Sequence, residues 1–211
     1  MRNFVLLILV FLFALITFAC SDPSANKPKA SVANASETTA TKSSGETLTI
    51  SPENSKVDFQ ASKVTRTHNG SFKQFSGTID LVNNNIEQSI VTINIDTASV
   101  AADDDQLTGH LKTPDFFDVA KYPKATFVST KISAAPGVNT THNVTGNFDL
   151  HGVKKAITFP ASIQLAADSV SVNAEFTINR KDFGINYPGK ADDLIRDGVV
   201  IKLSLKVPRK K

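Results

Sequence analysis

His110, Asp115 and Asp118 stand close together in the stretch "HLKTPDFFDVAKYPKATFVST", and an imidazole beside carboxylates is the material of metal binding or proton transfer. The pattern does not extend to a full ligand set. A second histidine at helical spacing is missing, and the acidic runs "ADDD" and "ADDL" lack the alternating oxygens and central glycine of a calcium loop. His110 is therefore expected to hydrogen-bond a turn, with its neighbouring carboxylates in water and no metal bound. His151, in "DLHGVKK", falls between two strand patterns and is expected to be an exposed turn residue. Arg180 and Asp182 in "NRKDFG" end a strand, where they are expected to form an ion pair at a rim or to meet a ligand head group. The chain carries no nucleophile elbow, no phosphate-cradling glycine loop and no cysteine nucleophile, so neither a catalytic residue nor a cofactor is expected.

The paired rings Phe116 and Phe117, held between Asp115 and Asp118, ask for a different chemistry: a lid whose rings face an apolar pocket while its carboxylates face water. The elements around it have to build that pocket. Period-two alternation recurs along the chain, for example in Val57, Phe59, Ala61, in Val144, Gly146, Phe148, Leu150, and in Val170, Val172, Ala174, Phe176, Ile178. Such spacing lays one apolar row on one face of a strand. About eight strands are expected, separated by clusters such as "NNN", "APGVN" and "YPGK". Without long 3.6-period runs there are no crossover helices, so the sheet is antiparallel.

A sandwich and a closed barrel both fit this pattern. Small residues within the inward rows (Ala61, Gly77, Gly146, Ala161, Ala174), the absence of Trp and strand patterns that continue to the last residues favour a barrel with a cavity. The one long interruption, from "SVAADDDQLTGHL" to "FFDV", is expected to form a short helical segment with the aspartates at its N-terminus, lying across one open end.

The ends set the location. Residues 4–18 form an apolar run too short for a membrane span and read as an export signal, residues 1–19. The run stops at Cys20, the only cysteine, which excludes an internal disulfide. "TFAC" resembles a lipobox, with Thr17 where Leu is usual and a bulky Phe18, so Cys20 is expected to be acylated. Residues 20–46 then form a disordered tether, poor in large apolar side chains, with a typical span of roughly 28 Å. Residues 47–211 form one domain. The net formal charge of +3 is scattered, apart from a terminal "PRKK", and gives no nucleic-acid interface.

Four segments, "GSFKQFSGTIDL", "HLKTPDFFDVAKYPKATFVST", "GNFDLHGVKKAITFPASI" and "INRKDFGINY" followed by "DGVVIKLSLK", resemble the YceI-like family over nearly the whole domain. The resemblance implies an all-β, antiparallel, eight-stranded lipocalin-like barrel with a short helical segment near one end. It also implies an apolar lumen that takes up a polyisoprenoid or a related long-chain amphiphile such as a quinone or fatty acid. Phe59, Phe75, Ile93, Phe127, Phe148, Phe159, Phe176 and Ile201 are expected to line the lumen, with Phe116 and Phe117 at its mouth. The expected partners are a lipid ligand and, through the anchor, a membrane of the bacterial cell envelope. Oligomeric state stays open, a dimer included. Each buried methylene contributes about 0.8 kcal/mol, so such binding needs no polar motif. The alternative from a different class is a solidly packed envelope stress or adhesion barrel that acts through its surface.

Overall fold

The computed structural model describes residues 22–36 and 45–209. The expected signal and Cys20 lie outside them. The strands in chain order are β1 (Ser31–Asn34), β2 (Glu46–Ile50), β3 (Ser55–Ser62), β4 (Thr67–Phe72), β5 (Phe75–Val82), β6 (Asn85–Asp96) and β7 (Val100–Ala102). One helix, α1 (Asp105–Leu111), precedes β8 (Lys124–Gly137), β9 (Thr140–Leu150), β10 (Val153–Leu165), β11 (Ser169–Asn179), β12 (Gly189–Lys190), β13 (Asp193–Leu194) and β14 (Gly198–Pro208). All but the β12–β13 hairpin belong to one 12-stranded sheet.

The expected count of eight is corrected by how the long strands bend, while the lipocalin-like all-β class stands. Only Lys73 and Gln74 separate β4 from β5, and the 3₁₀ turn Thr97–Ser99 separates β6 from β7. Each pair is one kinked strand: β5 pairs with β6 at one end, and β4 pairs with β7 at the other. Counted so, the pairing runs from β3 through β4/β5, β6/β7, β8, β9, β10, β11 and β14 back to β3, and the sheet curls on itself. Tight turns make this possible. Asn83 and Asn84 (φ 51° and 54°), then His151 and Gly152 (φ 54° and 74°), adopt the left-handed conformation that two-residue hairpin loops demand.

The alternating rows meet inside. Beyond one end of the cavity described below, Leu48, Ile50, Ile79, Leu81, Val170 and Val207 are buried against one another and form a solid floor. Gly146 departs from its expected role: its missing side chain admits the Phe127 ring, which a Cβ would meet at 2.4 Å, so a neighbour rather than a ligand takes the space.

A second correction concerns the tether. Residues 22–36 are a structured strap. β11 joins β10 only through residues 162–165 against 170–173, and above that the two strands diverge. The strap fills the seam as an extra stave. β1 pairs with Lys155–Thr158 of β10, Ala30 donates its amide to the Thr177 carbonyl (2.9 Å), and Thr177 donates its amide to the Pro28 carbonyl (2.8 Å). Ala30 and Val32 turn inward onto the core, and buried Ser24 sits where a Cβ on Gly198 would be. Asn147, buried on β9, grips the strap's end with two bonds to the Ser36 backbone, accepting at Oδ1 (3.1 Å) and donating from Nδ2 (2.7 Å).

Candidate functional site

A cavity of about 160 Å³ runs within the curled sheet, and its lining is aliphatic and aromatic apart from Asp58 and Arg180. Phe59, Ile93, Phe116, Phe117, Phe127, Phe148, Phe159, Phe176 and Ile201 all face it. Phe75 does not: it is buried at the β5 end of the kinked strand, in the core outside the cavity. Ring contacts organise the walls. Phe159 and Phe176 stack nearly parallel at 4.1 Å between centroids, while Phe59, Phe72 and Phe117 form a tilted chain from the wall to the lid.

The lid is α1 and the turns after it. Asp104 caps the helix by accepting from the Leu107 amide (2.9 Å), and Asp105 lies in its first turn, where negative charge is favourable. The chain then reverses at Asp118, whose φ of 45° aims Phe117 and Phe116 back towards the lumen while Asp115 stays exposed. Leu111 joins these two rings in the lining. His110 packs its ring edge-on against Phe116 (4.9 Å) and Tyr187 (5.1 Å), and its Nε2 lies 2.7 Å from Asp115. That pair positions the lid; among the described residues no group of three His, Cys, Asp or Glu is placed to hold a metal.

Arg180 stands at the same end, only 4 % exposed. Its expected partner, Asp182, is replaced by Asp197, which meets Nη2 at 3.2 Å. The other guanidinium bonds go to main-chain carbonyls of Ile185 (2.8 Å), Ile195 (3.3 Å) and Arg196 (3.2 Å). The reason is geometric: Arg180–Phe183 is a 3₁₀ turn that carries the side chain under the following loop, while Asp182 stays at the surface side. Burial lowers the guanidinium's pKa, and the Asp197 carboxylate opposes that shift. Arg180 thus ties loop 185–197 over the lumen, and its donors are committed to protein acceptors. Phe183, 0 % exposed, pins the start of the loop against Phe148.

His151 is not the exposed turn residue expected. It is half-buried against Tyr122 (4.6 Å), and its Nε2 is buried without a hydrogen-bond partner. Sequence reasoning also missed Ile185 and Ile195, which line the cavity, and Tyr187, which touches the lid. A signal for two of them exists: Phe183, Ile185 and Tyr187 resume period-two alternation, in the opposite phase, after the 3₁₀ turn that follows β11.

The match to known proteins covers this architecture. The YceI-like domain model matches residues 48–207. A UPF0312 protein of Pseudomonas putida is 36% identical over 126 residues, which are 57% of this chain and 65% of that protein, so the chain spans about two thirds of the length of such relatives. Among solved structures, Burkholderia cenocepacia BcnA superposes with a TM-score of 0.65 at 27% identity, covering 74% of this chain and 98% of BcnA. The Campylobacter jejuni YCEI protein gives 0.55 at 26% identity, covering 67% of this chain and 85% of that one. A polyisoprenoid binding domain from Saccharophagus degradans gives 0.61 at 21% identity over 78% of this chain and 99% of the domain, a likeness of fold. With its rows of inward rings, kinked strands and aromatic lid, this chain belongs to the YceI-like family.

Proposed function

We propose that this protein binds a long-chain apolar ligand, a polyisoprenoid, quinone or fatty-acid-like molecule, in the cavity, and serves the bacterial cell envelope as a carrier or store. In this reading the chain is exported, acylated at Cys20 and held at a membrane facing the periplasm or the surface. One observation carries the binding role: an apolar cavity, closed by a packed floor, opens towards a rim of small parts, a seven-residue helix and a loop held by Arg180 and by bonds to the end of β3. Such a cavity rewards a chain of methylenes and offers a charged group few free partners. The Saccharophagus degradans domain, described as polyisoprenoid binding, supports the ligand class through its shared fold.

The second reading, a filled barrel acting through its surface, draws on the cavity's narrowness. About 160 Å³ is close to the roughly 150 Å³ that accommodates one benzene ring in an engineered core, so a long chain needs lining side chains to move apart. The two readings separate on one experiment: the protein is purified without denaturant from a lipid-replete bacterial host, extracted with organic solvent, and the extract identified by mass spectrometry. A stoichiometric long-chain lipid is the expected result and names the ligand class. An extract at background level, repeated with lipid from the native envelope, transfers the function to the surface.

A further inference from the structure

The geometry points to the lid end of the barrel as a membrane-docking surface, pressed onto a lipid bilayer by the strap. This rests on the anchored reading above and specifies what that reading leaves open, namely which face meets the lipid. A disordered tether of residues 20–46 would let the domain turn freely. The strap removes that freedom, because the first described residue, Asp22, already lies against the rim: its carboxylate is 3.7 Å from the Arg196 guanidinium. Ser24 follows, bonded through its amide and hydroxyl to Asp22 Oδ1 and buried at Gly198. Lys27 then reaches Glu175 at 2.9 Å. Only Ser21 stands between Cys20 and Asp22, and two residue steps of chain reach at most about 7 Å. Whatever holds Cys20 at a bilayer therefore holds the rim there too.

The rim is suited to that contact. Two of the three large exposed apolar side chains among the described residues sit side by side on it: Val64 (50 %) and Leu194 (49 %), joined by the bond from the Val64 amide to the Leu194 carbonyl (3.0 Å). Leu194 is two residues from Arg196. The third, Val138, is 91 % exposed in the β8–β9 turn, at the far end of the 14-residue strand that starts beside the lid. Three rim cations are paired with rim acids, Lys63 with Asp193, Lys181 with Asp197 and Arg66 with Asp104, and the acids Asp105, Asp115 and Asp192 are exposed beside them. The contact is thus driven by the anchor and the two apolar side chains, and the occupant is the bilayer itself rather than an anionic partner. Docked this way, α1 and loop 185–197 open towards lipid, and a long chain passes into the lumen without crossing water.

The chain has no Trp, so one indole reports one position. Full-length chains carrying Leu194→Trp, Val64→Trp or Val138→Trp would be made in a host that acylates lipoproteins and reconstituted in phosphatidylcholine vesicles with brominated acyl chains. Quenching several-fold stronger at positions 194 and 64 than at 138, unchanged in high salt, is expected. A 20-residue Gly-Ser insertion between Ser21 and Asp22, with a span of roughly 25 Å, should abolish that difference while the protein still floats with vesicles. Equal quenching at both ends, or none at either on vesicle-bound protein, overturns the docking face and leaves the anchor standing. Failure of the full-length chain to float with vesicles overturns the anchored reading and the docking with it. Agreement of positions 64 and 194 guards against one substitution disturbing the rim.

Discussion

The two ends of the barrel solve opposite problems with different materials. At the floor, Ile50, Leu81, Val170 and Val207 are aliphatic, buried and packed in one cluster, and the charged pair Arg209–Glu46 lies at its edge rather than inside it. At the rim, closure depends on ring edges (His110, Phe116, Tyr187), on one buried guanidinium bonded to three carbonyls, and on partly exposed ion pairs. Close-packed aliphatic contacts have no discrete alternative arrangement, whereas hydrogen bonds and edge contacts at a surface exchange readily with water. The difference makes the floor the stable end and the rim the end that opens.

Truncation at the floor should give the largest effect. Ile50→Ala, at a fully buried site, is expected to lower global stability by about 2–5 kcal/mol through lost burial and the cavity left behind. Chemical denaturation monitored by circular dichroism measures it. Next in size, Arg180→Met fills the volume but leaves the carbonyls of Ile185, Ile195 and Arg196 without donors, at about 1–3 kcal/mol. Its signature is local: amide exchange accelerates in loop 185–197 and bound lipid leaves faster, while the floor amides keep their protection. Equal loosening of floor and rim in this variant would end the distinction between the two ends.

The floor and walls were legible because their residues bury side chains, and burial on one face of a strand writes a period of two into the sequence. Phe148, Phe159 and Phe176 could be read so. Phe75 departs from the expectation because alternation gives the face of a strand and not how far a ring reaches: paired opposite Ile95, which lines the cavity, Phe75 is buried in the core beside it. Asp182 was named beside Arg180 by proximity in sequence, whereas the 3₁₀ turn delivers the guanidinium to Asp197. The strap was illegible for a deeper reason. Main-chain groups at the β10 edge and at Thr177 hold it, and those bonds ask nothing of the side chains, so a Ser- and Asn-rich segment forms β structure that composition assigns to coil. Asn147→Ala tests the point. Losing two bonds to Ser36 should raise local opening of the strap by about 1–2 kcal/mol, roughly 5- to 30-fold in exchange at the Ser36 amide, with little change in global stability.

The smallest effect is electrostatic and belongs to the rim alone. Asp103 joins β4 to the segment that leads into α1: its Oδ2 accepts from the Asn69 amide at 2.9 Å, and its Oδ1 lies 2.8 Å from His68 Nδ1. The Asn69 amide bond, aided by His68, holds the carboxyl below its usual value against the opposing effect of burial. A carboxyl whose folded pKa is depressed gives its stabilisation in full above the unfolded value, about 3.9, and loses it as pH falls through the folded one. The carboxylate is a third exposed, so solvent screening keeps the contribution below about 1 kcal/mol. Acidification below pH 4 should therefore accelerate exchange at Asn69 while Ile50 and Val207 stay protected, because both are fully buried among aliphatic side chains and the Glu46–Arg209 pair lies only at the floor's edge. Asp103→Asn should show that faster exchange at neutral pH and remove its acid dependence. If instead the floor loosened first in acid, the stable end would be the rim, and ligand entry would have to be sought through the floor.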